Sequence, residues 1–158
     1  MNHCATATAA ACTFCRLITH EPEKILSGNE RLVVIADKHR VAEHHYLVIT
    51  RKHIRDVNEL TSADASLVDE MDRIGQDYMR SQVGTDYFFN HFRGFHLPPR
   101  TSVDHLHMYF VYKASEVNDY NKWRFQEPSA GCGRPAGRFV TPMELSRRLR
   151  VHGRADAR

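Results

Sequence analysis

The chain has 158 residues, of which 42% are hydrophobic and 26% charged, a balance typical of globular proteins and unlike that of disordered or fibrous chains. A domain of this length buries about 70% of the surface of its unfolded chain, so it can hold a core without disulfides. No segment has the ~18 apolar residues that a membrane span needs, and residues 1–11 lack the basic start and apolar stretch of a secretory signal. We therefore expect one domain, in the cytosol or nucleus and without a membrane partner.

The formal net charge of +3 is unevenly distributed along the chain. Residues 124–158 hold eight arginines and three acidic residues, a local charge of +5, so the remainder of the chain carries −2. A basic tail suits a phosphate-rich partner, although such tails are more often solvated extensions. We predict a flexible N-terminus over residues 1–11, a folded domain over 12–112 and a basic C-terminal extension with a short helix over 113–158.

The first half of the chain predicts one short helix and two strands. Residues 12–20 form the helix, which Pro22 ends. The β-branched run Leu32–Ala36 predicts a buried strand, and Tyr46–Thr50 predicts a second one.

The main helix begins at Thr61 or Ser62, which serve as N-caps, and ends at Gly84. Apolar residues recur along it at helical spacing, at Leu67, Met71, Ile74 and Tyr78. The aromatic run Asp86–Phe92 predicts a third strand, the proline-containing segment Gly94–Pro99 a loop, and His105–Tyr112 a fourth strand.

The remainder of the chain predicts a linker and one more helix. Residues 113–137 contain Gly and Pro without apolar periodicity, as linkers or long loops do. Thr141 followed by Pro142 is typical of a helix N-terminus. Together these elements predict an α+β fold, with an antiparallel sheet packed by one main helix and followed by a C-terminal extension.

The fourth strand carries two histidines on one face. Alternation places His105, His107 and Tyr109 on the same side, about 7 Å apart from one to the next, while the apolar residues between them point to the other side. Such a pair of imidazoles suits a site in which one attacks phosphorus and the other orients it. The alternatives are two structural histidines on a half-buried strand, or a metal site.

Cys12 and Cys15 are two of the four cysteines of the chain. Without a secretory signal, their Cys-x-x-Cys spacing is typical of a metal half-site or a redox pair rather than a structural disulfide.

The stretch from Ser102 to Val111, SVDHLHMYFV, resembles the signature strand of the histidine-triad superfamily, in which alternating histidines precede apolar residues. Upstream, the Cys-x-x-Cys pair, Asp37 and residues 43–54 match the family in order and separation. The segment Gly94–Pro99 narrows the resemblance to the histidine triad nucleotide-binding protein 3 group of the Hint branch. The resemblance covers about residues 12–112 and implies a histidine-triad fold that pairs as a homodimer.

The resemblance also implies a role for each matching residue. His107 matches the nucleophile, and His105 matches the residue whose backbone carbonyl orients it. Asp37 matches the acid that binds the ribose, Ser102 a contact to the phosphate and leaving group, and His45 a histidine that assists proton delivery. A further family histidine aligns with His53, assigned here to substrate binding with a solvated surface position as the alternative.

The chain departs from the family at the third triad histidine, which is Tyr109. A phenol with a pKa near 10 can donate a hydrogen bond to phosphate, but it is a poor proton shuttle at neutral pH. A superfamily branch with Gln at this position keeps a nucleophilic histidine, so the resemblance implies slow hydrolysis, or transfer to another acceptor, rather than no reaction.

The resemblance implies a structural zinc ion as well, with no organic cofactor. Some relatives bind zinc through two cysteines and two histidines, which here match Cys12, Cys15, His45 and His105. His44 is an alternative ligand, and two reduced thiols without metal are the alternative to the site itself.

We therefore expect an enzyme that binds a purine nucleotide, AMP or an AMP conjugate, and cleaves phosphoramidates or acyl-AMP through a nucleotidyl-His107 intermediate. One alternative is a catalytically weak nucleotide-binding or scaffold protein, with Tyr109 marking the loss of turnover. The other is processing of nucleic-acid ends, which the Arg-rich tail permits but which is not favoured because no aromatic and basic module for holding a strand is visible.

Overall fold

A computed structural model describes residues 11–126 and 139–155, and these residues form an antiparallel six-stranded sheet packed by helices. The helices are α1 (Thr13–His20), α2 (Ala65–Val83), α3 (Asp119–Lys122) and α4 (Pro142–His152). The strands are β1 (Ile25–Gly28), β2 (Leu32–Ala36), β3 (His44–Thr50), β4 (His91–His96), β5 (His107–Tyr112) and β6 (Phe139–Val140), in the spatial order β1-β2-β3-β5-β4-β6. This α+β architecture confirms the predicted fold class. Within the described part of the chain, no helix has both the length and the hydropathy required of a membrane span.

The main helix begins and ends at the predicted signals. The Thr61 and Asp64 side chains form a capping box, in which the Thr61 backbone N–H donates to Asp64 Oδ2 at 2.9 Å. A single 3₁₀ turn over Ser62–Asp64 then leads into α2. The helix ends at Gly84, whose φ of +72° lies in the region that favours glycine.

The two faces of the sheet bury two different apolar clusters. Val34, Val48, Met108 and Phe110 pack with α2 and α4 in the larger cluster. The opposite side of the sheet, here called the histidine face, carries His107 and Tyr109 on β5 among apolar residues that include Val33, Ile35, Leu47, Ile49 and Val111. Alternation along the strands therefore sorts the residues as predicted, with apolar packing behind the histidines.

The C-terminal region continues the same core. Thr141 caps α4, since its side-chain oxygen accepts a hydrogen bond from the Glu144 backbone N–H at 3.4 Å. Leu145 and Leu149 of α4 are fully buried beside α2, and β6 pairs with β4. The predicted short helix is confirmed, while residues 127–138 and 156–158 of the predicted extension, like residues 1–10 of the predicted flexible N-terminus, lie outside the described residues.

The predicted strand Asp86–Phe92 is wrong. Residues 84–89 form a 3₁₀ helix, and the strand runs from His91 to His96, through the first half of the predicted loop Gly94–Pro99. The aromatic residues that suggested a strand serve tertiary packing instead, because the buried Tyr87 ring lies 4.6 Å from the His91 ring. Gly94 permits close pairing with β6, since a Cβ there would overlap the Val140 carbonyl oxygen.

Several further elements were not predicted. The strands β1 and β6 are only four and two residues long, too short to show a clear alternation. Part of the predicted linker over residues 113–137 folds into short helical turns over residues 114–125.

Gly75 allows α2 to lie directly on β5, because a Cβ at this position would overlap the Phe110 ring. We expect Gly75→Ala to lower the free energy of unfolding by about 1–3 kcal/mol, since overpacking outweighs the gain of about 0.5–1 kcal/mol in helix propensity. Urea denaturation measures this change. Arg73→Ala, at an exposed position of the same helix, is the control and should change stability by less than about 0.5 kcal/mol. A stabilised Gly75→Ala variant would contradict the packing argument.

Candidate active site and metal centre

The backbone fixes one ring nitrogen of His107 through a hydrogen bond, and the other ring nitrogen carries the lone pair. Its Nδ1–H donates to the backbone carbonyl of His105 at 2.6 Å, so Nε2 carries the lone pair. Burial lowers the pKa of His107, opposed by the hydrogen bond to His105 and by the charge of Asp37. The Phe14 ring of α1 packs edge-on to the imidazole, with ring centroids 5.3 Å apart, and shields it from water. His107 is therefore a buried, neutral imidazole with a nucleophilic nitrogen.

Tyr109 lies directly beside this nitrogen. Its hydroxyl donates to His107 Nε2 at 3.0 Å, and the side chain also hydrogen-bonds with Ser102. Burial raises the pKa of Tyr109, although the Ser102 hydrogen bond opposes this. The phenol is therefore a protonated hydrogen-bond donor at neutral pH. Ser102 itself is exposed at the rim of the site, on the loop that precedes β5.

Asp37 and His45 form a second pair on the histidine face. Asp37 Oδ1 accepts a hydrogen bond from the His39 backbone N–H at 2.7 Å, while Oδ2 lies 3.2 Å from His45 Nε2 without the alignment of a hydrogen bond. Burial lowers the pKa of His45 to about 4, opposed by the charge of Asp37. His45 is therefore neutral, and its ring centroid lies 5.8 Å from that of Tyr109.

His96 completes the group around Tyr109. Its ring contacts the Tyr109 ring edge-on at 4.4 Å between centroids, and its Nε2–H donates to the backbone carbonyl of Arg124 at 2.9 Å. Nδ1 is buried and has no hydrogen-bond partner among the described residues. Burial lowers the pKa of His96 to about 4. The imidazole borders a small cavity that His107, His105 and Thr101 also line.

Two thiols and two imidazoles meet at the other end of this site. The ligand atoms of Cys12, Cys15, His53 and His105 all lie within 4.8 Å of one another. His105 Nε2–H donates to the Thr50 carbonyl at 2.7 Å, which leaves Nδ1 unprotonated and 3.3 Å from Cys12 Sγ. This is the tautomer that a metal-binding imidazole requires, with its second nitrogen held by a carbonyl.

The chemistry of these donors fits a tetrahedral metal ion such as zinc. Burial, together with the hydrogen bond and charge of Cys12, raises the pKa of Cys15 to about 11. Without a cation the Cys15 thiol therefore stays protonated at neutral pH and is a poor nucleophile.

The predicted ligand set requires one correction. His53, assigned to substrate binding, lies with the thiols, since its Nδ1 is 3.4 Å from Cys15 Sγ. His45 lies instead beside Asp37 and Tyr109, and His44 hydrogen-bonds with Tyr46. The reason is strand direction: β3 pairs His45 with Val111 at the far end of β5, whereas the turn after β3 returns to the start of β5.

The structure therefore brings the predicted residues together in two groups. His107, Tyr109, Asp37, His45 and Ser102 belong to one group, and Cys12, Cys15, His53 and His105 form the other. His105 connects the groups, because its ring lies with the thiols while its carbonyl holds His107.

Two residues beside the first group, His96 and Arg124, were not predicted as site residues. His96 fell in a predicted loop and Arg124 in a predicted linker, so alternation could not assign either one to a face. If the strand predicted at Asp86–Phe92 had been placed four residues later in the chain, it would have included His96 and identified it as buried.

Comparisons with known proteins agree with this architecture. The family model described as "Scavenger mRNA decapping enzyme C-term binding" matches residues 11–122. Adenosine 5′-monophosphoramidase HINT3 of Mus musculus is 32% identical over 75% of this chain and 73% of its own length. The bifunctional adenosine 5′-phosphosulfate phosphorylase/adenylylsulfatase HINT4 of Arabidopsis thaliana is 36% identical over 63% of this chain and 68% of its own length.

Solved structures share the fold at lower identity. A histidine triad nucleotide-binding protein from Sulfolobus tokodaii superimposes with a TM-score of 0.56, at 17% identity, over 90% of this chain and 99% of that one. A HIT family hydrolase from Legionella pneumophila gives a TM-score of 0.58, at 19% identity, over 63% and 90%.

The buried neutral histidines predict a loss of stability in acid. Between pH 6.5 and about 4 the unfolded chain binds a proton at His96 that the folded chain does not, so the free energy of unfolding falls as the pH falls through this window. One such histidine contributes a slope of up to about 1.4 kcal/mol per pH unit. We expect His96→Gln to have a smaller slope than the wild type in urea denaturation series from pH 7 to 4. His20→Gln, at an exposed position, should keep the wild-type slope, and equal slopes for wild type and His96→Gln would contradict the assignment.

Proposed function

This chain belongs to the histidine-triad superfamily, and on that premise we propose that it cleaves nucleoside phosphoramidates or acyl-AMP at the α-phosphorus and releases AMP. The hydrogen bond from His107 Nδ1 to the His105 carbonyl carries the proposal, because it leaves a neutral Nε2 available in a site shielded from water. The names of the HINT3 and HINT4 relatives support an adenosine 5′-phosphate derivative as the substrate.

The reaction has two steps. The lone pair of His107 Nε2 forms a bond to the α-phosphorus while the bond from phosphorus to the leaving nitrogen or oxygen breaks; a carboxylate departs as the anion, and an amine takes a proton from solvent. Water then attacks the phosphorus of the nucleotidyl-histidine and loses a proton to solvent, while the bond from phosphorus to Nε2 breaks, which releases AMP and restores the neutral imidazole. The His105 carbonyl stabilises the positive charge that His107 carries while its Nε2 is bonded to phosphorus.

Tyr109 leaves Nε2 when substrate binds and donates its hydrogen bond to a phosphate oxygen. Because burial raises its pKa, it is a weak acid and a poor proton donor to a leaving amine. Leaving groups that depart as stable anions, such as carboxylates, need no such proton. The site therefore suits acyl-AMP better than it suits a phosphoramidate.

Asp37 binds the ribose in this proposal. Its carboxylate lies at the end of β2 with one oxygen fixed by the His39 backbone N–H, and a carboxylate can accept hydrogen bonds from both sugar hydroxyls. Neutral His45 lies 3.2 Å from the other oxygen of this carboxylate, and its ring centroid lies 5.8 Å from that of Tyr109.

The metal of the thiol–imidazole group is zinc in this proposal, and its role is structural. The residues that would hold it are Cys12 and Cys15 at the start of α1, His53 after β3 and His105 before β5. The ion would tie these three segments together at the residue that orients His107. The ion would replace the thiol protons and stabilise the folded chain.

The first test compares AMP release from an adenosine phosphoramidate and from an acyl-AMP. Wild-type protein should release AMP from both, and His107→Ala should abolish release and any acid-labile adenylyl adduct seen by intact mass spectrometry. We expect Tyr109→His to speed phosphoramidate cleavage within the range of about 10²- to 10⁴-fold that a general acid contributes, with a smaller gain for acyl-AMP.

Tyr120→Phe is the control for substitution of a tyrosine, because Tyr120 is 78% exposed. A wild type that binds AMP yet forms neither product nor adduct would overturn the enzymatic proposal in favour of a nucleotide-binding protein. Equal gains of Tyr109→His on both substrates would contradict the assignment of Tyr109 as the weak acid.

Metal analysis tests the zinc proposal and separates the two histidines. Purified wild type should hold about one zinc ion per chain, and Cys12→Ser or His53→Asn should lose it and unfold at lower temperature. His45→Asn should retain the ion, since His45 lies outside the thiol–imidazole group. Loss of zinc from His45→Asn, or its retention in His53→Asn, would refute this ligand set.

A further inference from the structure

The chain that follows β5 folds back across the histidine face. It runs through a 3₁₀ turn at Ala114–Glu116, the short helix α3 and a second 3₁₀ turn at Trp123–Phe125. The buried Phe125 ring lies 5.9 Å from Tyr109 and 6.3 Å from His45, and it stacks parallel to Phe92 at 5.2 Å between centroids. This turn is therefore a wall of the site rather than a solvated linker.

The position of Arg124 within this wall is fixed on three sides. His96 donates a hydrogen bond to its backbone carbonyl at 2.9 Å. Its neighbour Phe125 is packed against Tyr109, and its other neighbour Trp123 lies under the guanidinium of Arg100 at 4.5 Å. The Arg124 backbone thus cannot move away from the site without breaking these contacts.

The Arg124 side chain is half-buried and has no carboxylate partner within the described residues. Two other arginines are paired, Arg93 with Asp72 and Arg55 with Asp56, while Arg40, whose charge also lowers the pKa of His45, is exposed. The positive charge of Arg124 lowers the pKa of His45 and His96 in addition to the effect of burial, and it opposes the raised pKa of Tyr109. The charge of Arg124 therefore acts on three of the side chains that surround His107.

The site needs such a charge. Buried His45 and His96 are neutral at pH 7, since burial lowers the pKa of each to about 4, and Tyr109 is an uncharged phenol. A nucleotide phosphate is anionic at this pH, and a buried anion is costly without a cation beside it. Guanidinium groups bind phosphate oxygens through paired N–H donors.

We propose that Arg124 binds the α-phosphate of the nucleotide and supplies the positive charge that the buried neutral side chains around His107 lack. This inference rests on the proposed nucleotide chemistry and adds to it a binding residue from outside the signature strand. It also gives the turn at Trp123–Phe125 a function, which is to hold the guanidinium over the site.

The test compares the dissociation constants of AMP and adenosine, measured by calorimetry on the full chain at low salt. Removing a charged hydrogen-bond donor weakens binding by about 10- to 100-fold, so Arg124→Gln should lose this much AMP affinity. Its affinity for adenosine, which has no phosphate, should be unchanged. Arg124→Lys should retain part of the AMP affinity, since it keeps the charge without the paired donors.

Lys122→Gln is the matched control. It also removes one positive charge, only two residues before Arg124, but the Lys122 side chain pairs with Asp119. It should bind AMP like the wild type. Equal AMP affinity of wild type and Arg124→Gln would overturn the inference and leave the proposed function intact. An equal loss of adenosine and AMP affinity in Arg124→Gln would have the same meaning, because it indicates that Arg124 only shapes the pocket. A wild type that binds neither ligand would overturn the proposed function itself.

Discussion

The site depends on one hydrogen bond, from His107 Nδ1 to the backbone carbonyl of His105 two residues earlier. A carbonyl can only accept, so this bond places the proton on Nδ1 and the lone pair on Nε2. Strand geometry makes the contact possible, because residues i and i+2 share a face. The rest of the fold keeps this pair fixed, with Phe110 packed on α2 behind the strand and Phe14 of α1 in front of it.

His105 makes three separate contacts, one through its backbone and two through its ring. Its carbonyl accepts the hydrogen bond of His107, its Nε2–H donates to the Thr50 carbonyl, and its Nδ1 faces the two thiols. Any group that fixes the imidazole of His105 therefore also restrains the peptide whose oxygen holds His107. A structural metal at the thiols would act on the reaction through position alone, because neither its ligands nor its charge need to touch the substrate.

Much of this arrangement could be predicted from the sequence where short-range rules apply. The β-branched run Leu32–Ala36 forms a strand with the predicted limits, and alternation along β5 assigned Tyr109 and Phe110 to the correct faces. The capping signals at Thr61 and Thr141 also mark real helix ends, because caps depend on neighbours three residues away.

The predictions are wrong where contacts between residues distant in sequence determine the structure. Asp86–Phe92 has the composition of a strand, but Tyr87 packs onto His91 and the strand begins only at His91, near the end of the aromatic run. His45 and His53 both lie near one strand in sequence, and only the pairing of β3 with β5 determines that one meets Asp37 and the other the thiols. No local pattern encodes that choice, since it depends on which ends of two antiparallel strands meet.

Two requirements of nucleotidyl transfer conflict in a site of this size. The nucleophile must be neutral, which burial ensures, whereas the phosphate that it attacks carries charge that burial disfavours. The fold separates the two requirements in space. Apolar rings keep the imidazoles neutral at the sheet, while Arg124 lies on a turn outside it, on a backbone that His96 holds in place. In the role proposed for Arg124 the charge comes from a second segment, whereas a cation on β5 itself would lie beside His107 and lower its basicity more.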